Sequence, residues 1–106
     1  MTGIPLRLVP VPGIGGPYLP LPDSPLADLP NSGPELKPGD MWFEHECWAV
    51  VLPNYTVWYS GIAAADGSCW TVTGEAPNIT VHPSIDDRDP NRPWHGWIRN
   101  GMLTDA

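Results

Sequence analysis

A chain of 106 residues has room for one domain, and its net charge of −7 divides into −2 over residues 1–40 (Arg7 and Lys37 against four acids) and −5 over residues 41–106 (Arg88, Arg92 and Arg99 against eight). Neither half suits a phosphate backbone, so nucleic acid is excluded as a partner. Prolines interrupt every early apolar run and no stretch of about 18 apolar residues exists, so neither an export signal nor a membrane segment is expected.

Residues 1–40 hold ten of the fifteen prolines and no Trp. Proline removes backbone donors and fixes φ, which predicts an extended Pro-rich arm rather than a helix or an interior strand. Its apolar side chains need a surface to cover, so Ile4, Leu6, Leu8, Val11, Ile14, Tyr18, Leu19, Leu21, Leu26 and Leu29 are expected to bind a partner. At about 3 Å per residue such an arm would reach roughly 120 Å, enough to cross a neighbouring subunit. The glycines between Pro12 and Pro17 do not make a phosphate loop, because no Lys follows and the flanking prolines block a helix.

Residues 41–106 hold all six Trp and both Cys and predict a compact antiparallel β domain, a small sheet or sandwich. A core of this size would bury only about 60% of its unfolded surface, so help from metal, disulfide or oligomerisation is expected. Met41 to Leu52 reads as one strand with Phe43, His45, Cys47, Ala49 and Val51 on one face and Trp42, Glu44, Glu46 and Trp48 on the other. Tyr55 to Ile62, Ser68 to Thr73, Asn78 to His82 and Trp94 to Arg99 follow as strands. Asp66-Gly67 and Asn100-Gly101 read as turns, and a short last strand follows the second. The acidic loop Asp86 to Pro93 protrudes.

His45 and Cys47 stand two apart, as zinc ligands on one strand face would, and Cys69, His82 and His95 are available to complete a tetrahedral set. The set taken forward is His45, Cys47, Cys69 and His95. No Cys-x-x-Cys spacing supports it, so a structural zinc competes with two plainer readings: small buried cysteines without a cofactor, or a Cys47–Cys69 disulfide. Asp87-x-Asp89-x-Asn91 opens like a calcium loop but lacks its Gly and closing Glu, and is read as a solvated loop. The Trp residues are assigned to the core ahead of a carbohydrate platform. Asn54 and Asn78 fit glycosylation acceptors by chance. Serine, histidine and acids occur as scattered copies with no Gly-x-Ser-x-Gly elbow, so no catalytic residue and no enzyme is expected.

The order Trp70-Thr-Val-Thr-Gly74, Ala76-Pro77, Pro83-Ser84-Ile85 and Trp94-His95-Gly-Trp97-Ile98-Arg-Asn-Gly101-Met102-Leu103 resembles a small domain family of unknown function. That family is common in phage and prophage genomes and is often mislabelled ammonia monooxygenase; its signatures are a Pro-Ser segment and a His-x-x-Ile-x-x-Gly ending. The likeness spans about the last sixty residues and rests on short motifs. It places Pro77, Pro83, Ser84, His95, Gly101 and Leu103 at family positions and lets Cys47 stand for one cysteine of a knuckle. Trp94 departs from the cysteine that family carries before His95, so a family-like metal site would be incomplete. Phage origin is what the resemblance implies.

Together these readings predict a phage virion structural protein: a minor capsid decoration or cement protein, homo-oligomeric on the particle. Its arm would lie across the major capsid or another virion protein. A head–tail or tail accessory protein, or a zinc-stabilised host-interaction module, is the alternative. The expected location is the virion, with the host cytoplasm during assembly.

Overall fold

The computed structural model describes residues 3–12, 35–61, 70–88 and 90–106, and these contain nine strands and no helix. The all-β class is as the sequence predicts. The strands are β1 (Ile4–Pro5), β2 (Arg7–Leu8), β3 (Asp40–Glu44), β4 (Cys47–Val51), β5 (Val57–Tyr59), β6 (Thr71–Thr73), β7 (Thr80–Asp87), β8 (Trp94–Arg99) and β9 (Met102–Asp105). They form a five-stranded sheet, β1-β9-β8-β7-β6, and a four-stranded sheet, β2-β3-β4-β5.

The two sheets enclose one core. Met41, Val50, Leu52 and Trp58 from the smaller sheet and its loops meet Ile79, Val81, Ile85, Ile98 and Leu103 from the larger. These residues alternate with outward-facing ones along each strand, as period-2 geometry requires. A second cluster sits on the outer face of the smaller sheet, where Trp42, Ala49 and Val51 are buried with Leu36. That sheet is therefore covered on both faces.

The first strands differ from the expected arm. Ile4–Pro5 pairs antiparallel with β9 and Arg7–Leu8 pairs parallel with β3, so the chain changes sheets at Leu6. Leu6 is 6% exposed within the protein's own core, and its N–H donates to the carbonyl of Gly101. Pro5 is tolerated because β1 is an edge strand of two residues and an edge N–H need not pair. Leu8 and Val11 are exposed. Ile14, Tyr18, Leu19, Leu21, Leu26 and Leu29 lie outside the described residues.

Asp40, 3% exposed, anchors this entry segment. Its carboxylate accepts from Arg7 Nε at 3.0 Å, from Arg7 Nη2 at 3.1 Å and from the backbone N–H of Lys37 at 3.0 Å. A buried carboxylate is tolerated only when paired and hydrogen-bonded in this way. The forked ion pair also raises the Arg7 pKa further, through its hydrogen bond with Asp40 and the nearby charge.

The run from Met41 to Leu52 is a hairpin, not one strand. His45 and Glu46 both take positive φ, 53° and 62°, which is the backbone of a two-residue type I′ turn. Glu44 pairs with Cys47 and Phe43 with Trp48. The turn changes the parity of the faces, so that Trp42, Glu44, Cys47, Ala49 and Val51 share one side and Met41, Phe43, Trp48 and Val50 the other.

Strand β7 also runs past its expected end at His82. Val81 pairs with Ile98 and Ile85 with Gly96, so His82, Pro83 and Ser84 bulge between two ladder positions. Pro83 fits there because a bulge does not need its missing N–H.

Candidate active site

The bulge in β7 sets Ser84 on the outward face of the five-stranded sheet, next to β8. There Ser84 Oγ lies 2.9 Å from His95 Nε2. With the proton of the neutral imidazole on Nδ1, the serine hydroxyl donates to Nε2, which is the arrangement of a nucleophile and its general base. Ser84 is half-buried and His95 exposed, so the pair is open to a substrate.

Several contacts hold His95 in place. Its strand is clamped by β7 on one side and β9 on the other, and its carbonyl accepts from the N–H of Ala106 at 2.9 Å. Gly96, next in the chain, is buried, and a Cβ there would run into the carbonyl of Thr104 and the ring of Trp94. Only glycine lets the Trp94 indole lie against the backbone beside His95 and donate from Nε1 to Asp105 Oδ1 at 2.8 Å. Trp97, two residues on, places its ring centroid 5.9 Å from that of His95.

Asp86 stands in register opposite His95, and its carboxylate accepts from Arg88 Nε at 2.9 Å. Among the described residues Ser84 is the side chain hydrogen-bonded to His95, and no carboxylate bonds to that imidazole. A cavity of about 170 Å³ lies between the sheets on the inner side of this region, lined by Trp58, Trp70, Ile85, Asp86 and Asp87 among others. Trp58 and Trp70 meet edge to face, with centroids 5.4 Å apart. Their indole nitrogens and Thr56 Oγ1, all at this cavity, are buried without hydrogen-bond partners.

The expected zinc ligands are not brought together among the described residues. His45 sits at the exposed tip of the β3–β4 hairpin, 3.3 Å from Glu44 Oε1, and Cys47 is a free thiol whose Sγ lies 3.5 Å from the Glu44 carbonyl oxygen. His95 is on the other sheet with Ser84, and Cys69 lies outside the described residues. No group of three His, Cys, Asp or Glu suited to a metal occurs among the described residues. The acidic loop is tied down by Asn54, whose amide donates to Asp87 Oδ2 at 2.9 Å and to the Arg92 carbonyl at 2.6 Å.

A serine hydroxyl and an imidazole in hydrogen-bond contact on the open face of a small β-sandwich are the pairing that nucleophilic acyl transfer uses. Residues 31–105 match the family model described as "Bacterial ubiquitination-like system serine protease (BubE)". The chain belongs to the BubE family. No curated protein and no solved structure matches the chain.

This membership corrects the functional expectations drawn from sequence. A family named for a bacterial ubiquitination-like system overturns the capsid decoration protein, the virion-protein partner and the virion location. A family named as a serine protease overturns the expectation of a non-enzyme. The physical reason is visible: Leu6, expected to cover a foreign surface, is buried in the protein's own core, and Ser84 and His95, eleven positions apart, meet across two strands.

Proposed function

We propose that this protein is a serine peptidase of a bacterial ubiquitination-like system, with Ser84 as nucleophile and His95 as general base. The 2.9 Å contact between Ser84 Oγ and His95 Nε2, in a chain of this family, carries the reading. Ser84 Oγ attacks the carbonyl carbon of the scissile peptide bond while His95 Nε2 takes the hydroxyl proton. Collapse of the tetrahedral intermediate breaks the C–N bond, and the imidazolium returns the proton to the leaving amine. Water, deprotonated by the same imidazole, then hydrolyses the acyl-enzyme and restores the serine.

The bulge supports this assignment, since bulges re-aim side chains next to active sites. The test is cleavage of a ubiquitin-like protein carrying a C-terminal peptide extension. The wild type is expected to release the extension, and Ser84→Ala and His95→Ala are expected to leave it attached. Equal cleavage by the Ser84→Ala protein would remove Ser84 from the reaction.

A further inference from the structure

The outward face of β8 carries His95, Trp97 and Arg99 at two-residue intervals, so the three side chains form one row. Trp97 is its centre: the imidazole lies 5.9 Å away by ring centroids, and the Arg99 guanidinium carbon lies 4.4 Å from the indole centroid. In this acidic chain two arginines are held by carboxylates, Arg7 by Asp40 and Arg88 by Asp86. Arg99 is held by an aromatic face instead, is exposed, and makes no ion pair with the described residues. Its cross-strand neighbour on β9 is Met102, and Asn100 and Thr80, beside it, are bonded to each other. None of these supplies an anion.

A guanidinium covered on its flat face keeps its N–H edge for an acceptor, and that fork matches a carboxylate. Stacking on Trp97 also restricts the side chain in advance, which lowers the entropy lost on binding. From His95 to Arg99 the strand advances about 13 Å, the length of about four residues of an extended peptide. We propose that Trp97 and Arg99 form a subsite for a carboxylate on the peptide substrate, within about four residues of the bond that Ser84 attacks. This rests on the Ser84–His95 reading. The carboxylate belongs either to an acidic side chain or to the free end of the peptide.

Binding to the Ser84→Ala protein tests the subsite without turnover. The probes are extended Gly/Ala peptides with one Asp moved stepwise along them, their Asn counterparts, and a pair ending in free acid or amide. One Asp position, or the free acid, is expected to bind about tenfold tighter than its neutral partner. Arg99→Gln should erase that difference, Arg99→Lys should keep part of it, and Arg99→Glu should reverse it toward a Lys-containing peptide. The Asp series identifies a side-chain carboxylate and the acid–amide pair a terminal one. No preference for any carboxylate, or a preference indifferent to Arg99, overturns the subsite. Hydrolysis of a neutral peptide by the wild type reports on Ser84 separately: binding without hydrolysis fails the nucleophile assignment alone, and hydrolysis without Arg99-dependent preference fails the subsite alone.

Discussion

The two sheets of this sandwich differ in what lies outside them. The outer face of the four-stranded sheet buries Trp42, Ala49 and Val51 under Leu36 and neighbours, and has become a second small core. The outer face of the five-stranded sheet stays open and carries Ser84, Asp86, His95, Trp97 and Arg99. Packing consumes one face, and chemistry has room only on the other. An antiparallel sheet can be solvated on one side, which makes this division possible in so short a chain.

The contrast predicts a sharp separation between loss of activity and loss of fold. Ser84→Ala and His95→Ala should each lower peptide hydrolysis by on the order of 10³-fold or more, while thermal melting stays close to wild type. An activity assay beside a melting curve checks both halves. On the covered face the order reverses: Trp42→Ala should cost about 3–5 kcal/mol, measured by urea unfolding, whereas Thr73→Ala on the open face should stay within about 0.5 kcal/mol. Equal effects at the two positions would erase the distinction between the faces.

Gly96→Ala probes the boundary between packing and chemistry. The added methyl group meets the Thr104 carbonyl and the Trp94 ring, so a loss of about 1–3 kcal/mol is expected. His95 should shift with its strand, and hydrolysis should fall further than at Thr73→Ala. The smallest effect concerns Tyr59, which packs against the second core. Burial first, and then the nearby Glu44 and Cys47, raise its pKa above the usual 10.0. The folded state thus holds the phenolic proton more tightly than the unfolded chain. That contribution is complete below the unfolded pKa and is lost as pH rises through the folded one. Unfolding free energy should therefore decline above about pH 10, and Tyr59→Phe should flatten the decline.

Legibility in the sequence followed the local chemistry. Asn100-Gly101 announced the β8–β9 hairpin, because both residues accept positive φ, and the structure gives them 48° and 76°. His45-Glu46 makes the same kind of turn with residues that do not advertise it, so period-2 patterning alone predicts one strand there and the wrong faces. Pro83 looked like a strand end because a regular ladder needs its N–H; the bulge removes that need and lets β7 continue. Prolines likewise hid β1 and β2, which are too short and too near an edge to suffer from them.

The site was hidden for a related reason. Ser84 and His95 belong to no short motif with a fixed spacing, and only the bulge and the register of β7 on β8 bring them to 2.9 Å. The phage-family resemblance marks both residues by position, and the sequence alone offers His95 as a zinc ligand and Ser84 no role. A Ser two residues past the end of one predicted strand and a His on the next, flanked by Pro and Gly, are the signal available, and it acquires meaning only once the strands are paired.

Covalent labelling with a fluorophosphonate, followed by peptide mass spectrometry, tests the nucleophile most directly. A single adduct on Ser84, abolished in Ser84→Ala and strongly slowed in His95→Ala, is the predicted result. Labelling at another serine, or labelling of Ser84 at an undiminished rate when His95 is absent, would contradict the dyad.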